Sequence, residues 1–311
     1  MSVRYVGEPV PPPGPRDRTL TLASSAWFEP WATAPGRLRV DGVRLARADG
    51  DAVRPIAASG FDLPERIGRH GDLRFADWLV AEGFNYVRVV PSSVYRSPRT
   101  IAEGLAWLPQ TLEVCRDRGL YVQVVGAVDT GPEGYDLNRD GVREWMRELG
   151  QICHDYANTL MDVNEPYHGT QQPWLAAPEF LQELRAEVPS AVPMTLGSSH
   201  EGLLLTGGDW TAIHADRVKS PEEQAAFVAS VQAETEKLAW NDEPNAISET
   251  ETRPSDRTDP AWATRLAAAH RSSGVPVTLH LRWAGLTANV DDLGPVQREA
   301  ARRFVEVLTG E

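Results

Sequence analysis

The chain has 311 residues, 41% of them hydrophobic and 24% charged, which excludes a disordered polymer and provides enough apolar residues for a sizeable core. Acidic residues outnumber basic ones 44 to 31, a net charge of −13, which argues against a nucleic acid as partner because binding phosphates needs a basic face. No apolar run reaches the ~18 residues of a membrane helix, and the opening MSVRYVGEPVPPPGP has no signal-peptide core, so the expected setting is the cytoplasm or release by lysis, away from any membrane.

Residues 1–37 stand apart. PVPPPGP is a semi-rigid, partly polyproline stretch, followed by the aromatic cluster Trp27, Phe28 and Trp31. Aromatics so close together are expected to be covered, so the segment reads as an arm packed on the main domain, with a docking arm for another protein as the alternative.

From residue 38 to 311 short apolar runs alternate with amphipathic stretches. LRVDGVRLARAD reads as a hairpin turning at Asp41-Gly42, and PIAASGF as a first strand. The helical DLRFADWLVAEG, with Phe75, Trp78 and Leu79 on one face, leads to the strand NYVRVV. A helix over residues 100–118 leads to LYVQVVGAV, GVREWMRELGQICHDYA to TLMDV, and PEFLQELRAE to VPMTLG. WTAIH, a helix near 221–237, a strand placed somewhere in 238–248, the helix PAWATRLAAAHRSSG, the strand VPVTLHL and the helix PVQREAARRFVEVL complete the series. Eight apolar strands, each followed by a helix or a long loop, imply parallel pairing with both faces covered, hence an α/β fold with a single (β/α)8 barrel. A doubly wound open sheet is the rival, but the first βα turn lacks a glycine-rich phosphate loop.

In such a barrel the site lies past the C-terminal ends of the strands. There the chain places Arg88, Asp129-Thr130, Asp162 to His168, Ser198-Ser199-His200, His214 and Arg217, Asn241-Asp242-Glu243-Pro244, Ser248-Glu249, and His280-Leu281-Arg282-Trp283. Two carboxylates on opposite walls are what glycosidic cleavage needs, one to protonate the leaving oxygen and one to attack the anomeric carbon. An Asn beside the acid can hold a sugar 2-hydroxyl, a nearby Arg can keep the nucleophile ionised, and an indole such as Trp283 can stack on a sugar ring.

The run Met161-Asp162-Val163-Asn164-Glu165-Pro166 resembles the Asn-Glu-Pro motif that follows the fourth strand in clan A glycoside hydrolases. The resemblance spreads over roughly residues 38–309, with VDGVRLARADGDAVRPIAASGF similar to the clan's opening hairpin and first strand and GFNYVRVV to its second. It implies retaining chemistry on an oligo- or polysaccharide without metal or organic cofactor. Glu165 would be the acid/base, Asn164 the 2-hydroxyl partner and Arg88 the nucleophile's supporting cation. The nucleophile would follow the seventh strand. Asn241-Asp242-Glu243-Pro244 resembles the corresponding segment of small clan A-like barrels, where a His and an Arg near the sixth strand and a His near the eighth accompany it, as His214, Arg217 and His280 do here. That makes Glu243 the nucleophile. Glu249, at the end of Pro244-Asn245-Ala246-Ile247-Ser248-Glu249-Thr250, is the competitor.

Cys115 and Cys153 fall in predicted helices and read as buried thiols. Trp78, Trp107, Trp145 and Trp262 read as core, whereas Trp174, Trp210 and above all Trp283 are candidates for sugar stacking. Asp136 to Gly141 matches half a calcium loop but has Arg147 where the last acidic ligand belongs, and no HExxH-like spacing supports zinc. Gly197-Ser198-Ser199-His200 lacks the frame of a nucleophile elbow. The alternative to an enzyme is a barrel that grips carbohydrate without cleaving it.

Overall fold

The computed structural model describes residues 36–91, 101–128, 139–165 and 177–310, with backbone alone at 101, 127–128 and 164–165. The proline-rich arm and its aromatic cluster, Asp129-Thr130, the half calcium loop up to Asn138, Pro166 to His168 and Trp174 lie outside the described residues.

A three-stranded antiparallel meander comes first: β1 (Leu38–Asp41), β2 (Arg44–Arg47) and β3 (Ala52–Val53). Gly42 makes its first turn in the left-handed region (φ 58°), as the Asp-Gly pair predicts. The barrel follows as β4 (Ala57–Ser59), α1 (Leu63–Gly68), α2 (Arg74–Ala81), β5 (Tyr86–Val89), α3 (Ile101–Asp117), β6 (Tyr121–Val128), α4 (Arg139–Asp155), β7 (Thr159–Glu165) and α5 (Pro178–Glu187). Its second half comprises β8 (Met194–Thr195), β9 (Ser198–Ser199), β10 (Thr211–Ile213), α6 (Pro221–Thr235), β11 (Ala239–Asn241), β12 (Ala246–Ile247), α7 (Pro260–Ser273), β13 (Thr278–Leu281), α8 (Ala284–Thr287) and α9 (Pro295–Thr309).

The barrel strands pair in parallel throughout: β4 with β5, β5 with β6, β6 with β7, β7 with β8, β9 with β10, and β10 with β11. β8 and β9 are two halves of barrel strand five. Strand seven is likewise split, into β11 and β12. A bridge from Asn241 to Val277 and the pairing of β12 with β13 join it to strand eight, and β13 pairs with β4 to close the ring. Between β9 and β10 a loop takes the place of a helix.

Alternation along the strands sorts the side chains. Val87, Val89, Val122, Val124, Met161 and Leu279 point outward into the layer beneath the helices, the larger of the buried clusters. Ala57, Tyr86, Tyr121, Leu160, Ala212 and Trp240 point inward and form the barrel floor. Leu38 and Leu45 from the meander pack against that floor at 1 and 2% exposure, so the hairpin plugs the N-terminal end of the barrel. Trp210 is fully buried in the same floor, its ring centroid 5.9 Å from that of Trp240. This corrects the expectation that it stacks on sugar: Trp210 opens the run WTAIH at the N-terminal end of barrel strand six, and by alternation it shares the inward face with Ala212, at the floor and not at the rim. Cys115 and Cys153 are buried in α3 and α4, and burial pushes the Cys115 thiol up to about 12.

Candidate active site

One layer above the floor, the inward positions become polar. Ser59, Arg88, Gln123, Asp162, Ser198, Asp242 and His280 are all buried there. The pattern begins in two neighbouring strands with nearly the same sequence, Tyr86-Val87-Arg88-Val89 and Tyr121-Val122-Gln123-Val124. They pair in register, tyrosine beside tyrosine and Arg88 beside Gln123.

Arg88 is fully buried, a position a guanidinium holds only when carboxylates surround it. Its Nη1 donates to Glu243 Oε2 at 2.7 Å, its Nε faces Asp242 Oδ2 at 3.3 Å, and its Nη2 lies 3.8 Å from Asp162 Oδ2. The face of the guanidinium lies over Phe61, 5.2 Å from the ring centroid. Gln123 Nε2 donates to Asp242 Oδ2 at 3.1 Å. Arg217, from the loop after β10, pairs with the other oxygen of Glu243, and both its Nε and its Nη2 reach the Glu243 carbonyl oxygen at 3.3 Å.

Burial by itself would raise the Glu243 carboxyl. The charges around it, led by Arg217, outweigh that and hold it well below the usual carboxylate range. His214 and His280 are both pushed down by burial, His280 to about 4, so at neutral pH they are uncharged and the two arginines keep Glu243 ionised. Asp242 moves the other way: burial raises it to about 6 despite Arg88.

The histidines flank this cluster. His214 Nε2 lies 3.4 Å from Asp242 Oδ1 and 3.9 Å from Glu243 Oε2. His280 Nδ1 is 3.2 Å from Ser59 Oγ, which also accepts the Leu281 N–H at 3.1 Å. Gly285 crowds Ser59 so closely that a Cβ there would strike the hydroxyl.

The two candidate nucleophiles separate cleanly. Glu249 points away from the cluster: its Oε1 accepts the Gln297 N–H at 2.9 Å and its Oε2 the Val296 N–H at 3.3 Å. These are orphan donors at the start of α9, whose own N-cap position is Gly294 with no side chain to offer. Glu249 is therefore a helix cap. Trp283 is 44% exposed past the end of β13, with the Arg282 guanidinium 5.3 Å from its ring centroid and its backbone at positive φ (52°). Glu165 and Asn164 occupy the C-terminal end of β7, in register with Val128 and Ala127, and their side chains lie outside the described residues. His200, at the end of strand five, engages the Glu201 carbonyl oxygen. Among the described residues no cluster of ligating side chains is arranged to hold a metal ion.

Sequence reasoning named Asp162 and Asp242 only as parts of motifs and passed over Gln123 and Ser59. For Gln123 a signal was available, since a polar residue two positions after an inward tyrosine in an apolar strand must also point inward.

No family model matches the chain, and no curated protein matches it in sequence. Solved structures do. A family 5 glycoside hydrolase from Bacteroides vulgatus aligns with a TM-score of 0.64 at 16% identity over 84% of this chain. A β-glucanase from Saccharophagus degradans aligns at 0.61 and 12% identity, covering 86% of this chain and 92% of its own. A β-mannanase from Thermomonospora fusca aligns at 0.60 and 14%, covering 88 and 97%. The chain spans 64% of that Bacteroides vulgatus protein and 60% of a second one aligned at 0.68 and 12% identity. At such identities the likeness is one of fold, and the fold of this chain is the (β/α)8 barrel of these glycoside hydrolases.

Proposed function

We propose that the chain is a retaining glycoside hydrolase that cleaves an O-glycosidic bond of an oligo- or polysaccharide. The observation that carries this reading is the Glu243 carboxylate, 7% exposed at the break in strand seven and kept ionised by Arg88 and Arg217. A carboxylate so placed can attack an anomeric carbon and form a glycosyl-enzyme intermediate. Glu165, at the end of β7, is the acid that protonates the leaving oxygen and then the base that activates water. Asn164 holds the 2-hydroxyl, His214 and His280 line the cup, and Trp283 on the rim stacks against a sugar ring. The neighbours include a β-glucanase in complex with cellotetraose and a β-mannanase in complex with mannohexaose, so cello- and manno-oligosaccharides are the first substrates to offer.

The test is hydrolysis of aryl glycosides and oligosaccharides, with the first-formed anomer followed by NMR. The expected product keeps the substrate's anomeric configuration. Glu243→Gln and Glu165→Gln should each lower kcat on unactivated substrates by about 10³-fold while leaving the circular-dichroism spectrum intact. Glycan binding with no turnover across a broad panel would sink the proposal in favour of a binding barrel, and near-normal activity in either variant would sink the residue assignment.

A further inference from the structure

Asp242 and Glu243 are consecutive, yet both carboxylates reach the same guanidinium. Consecutive residues of a regular strand point to opposite faces. The interruption between β11 and β12 turns both inward, and Pro244 follows with no N–H to continue a ladder. Asp242 is 1% exposed, and among the described residues its side chain meets Arg88 Nε and Gln123 Nε2 at Oδ2 and His214 Nε2 at Oδ1, the last at 3.4 Å. Neither Asp242 Oδ1 nor His214 Nε2 makes a hydrogen bond to any other described residue. Among the described residues, the other titratable and charged groups around the pair are Tyr86 and Arg88 from β5, Asp162 from β7, Arg217 after β10, Glu243 itself and His280 from β13.

We infer, resting on the hydrolase reading above, that Asp242 is a positioning residue and that the His214–Asp242 pair takes up a single proton whose arrival, rather than protonation of Glu243, sets the acidic limit of turnover. While Asp242 is ionised, Arg88 is divided among Glu243, Asp242 and, at 3.8 Å, Asp162, and does not bind the nucleophile alone. Among the described residues Arg88 and Arg217 then face three carboxyl groups, Asp162, Asp242 and Glu243, and a positive charge developing at the anomeric carbon meets the negative charge of all three. A proton arriving from solvent cancels one of those charges. It also removes one competitor for Arg88, so Glu243 becomes a less basic and more tightly held nucleophile. Glu243 is gripped by two guanidinium groups whereas Asp242 has only a share of one, so burial raises Asp242, to about 6, while Glu243 stays well below its usual range, and on acidification the pair protonates first.

The experiment is the pH dependence of kcat/KM on an aryl glycoside, with the His Cε1–H NMR titration of the same protein without substrate. Wild type should lose activity with a midpoint near pH 6, where the His214 resonance should inflect as well. Asp242→Asn should abolish that inflection, lower the rate at neutral pH by roughly tenfold, and move the acidic limb down by at least about one pH unit. His214→Gln, which spares the Arg88 contacts, should also move the limb and serves if Asp242→Asn does not fold. A wild-type limb below about pH 5, or a limb unmoved in both variants, overturns the inference while leaving the hydrolase reading intact. An inflection near pH 6 that Asp242→Asn removes, in a protein that hydrolyses no glycoside, overturns the hydrolase reading and with it the role in turnover.

Discussion

Glu243 and Glu249 are six positions apart, follow similar short apolar runs and have opposite tasks. Glu243 is surrounded by guanidinium groups, whereas Glu249 accepts two backbone N–H groups at the start of α9. A carboxylate at a helix N-terminus satisfies orphan donors and meets the positive end of the helix dipole. Glu249→Gln should therefore keep full kcat and KM and lower stability by about 1 kcal/mol, read as a shift in the urea midpoint. A large fall in kcat with unchanged stability would return Glu249 to the reacting centre. The competition between the two was open in the sequence because both follow a plausible strand end. What separates them is Gly294, which leaves α9 without a cap of its own some 45 positions away in the chain.

Two elements carry more than their length suggests. Strand seven is broken at residues 242–245, and that break brings two consecutive carboxylates to one guanidinium. The meander β1–β3 has no role at the site but closes the opposite end of the barrel with Leu38 and Leu45. Leu45 is 2% exposed against a floor of aromatic rings that cannot collapse into a void, so Leu45→Ala should cost about 2–4 kcal/mol in urea unfolding with kcat unchanged. A loss under about 0.5 kcal/mol would show that the hairpin merely lies on the barrel. Asp41-Gly42 and the alternation in LRV and RLA made the hairpin legible, but its destination depends on which open end the eight strands leave uncovered.

At the level of the whole molecule, the buried histidines couple stability to pH. His270 and His280 are pushed down to about 4 by burial and His214 is pushed well below its ordinary value, so the folded protein resists protons that the unfolded chain accepts near 6.5. Their contribution is complete above that pH and is lost as the pH falls towards 4. Asp242, raised from 3.8 to about 6, opposes them by taking its proton first in the folded state, but it is one group against three. Between pH 7 and 5 the urea midpoint should fall, at roughly 1.4 kcal/mol per pH unit for each proton the unfolded chain binds in excess. A midpoint that stays flat or rises would mean the histidines take up protons without unfolding. The barrel itself was readable in advance, because the period of apolar residues reflects which face each strand and helix buries, and that constraint is local. So was the placement of Arg88, Glu165, Glu243 and His280 at strand ends, since a barrel puts all such ends on one rim. The pairing of Asp242 with His214, the capping by Glu249 and the burial of Trp210 depend on contacts between residues distant in the chain. Those distances are set when the strands close into a ring, and periodicity within one strand carries no information about them.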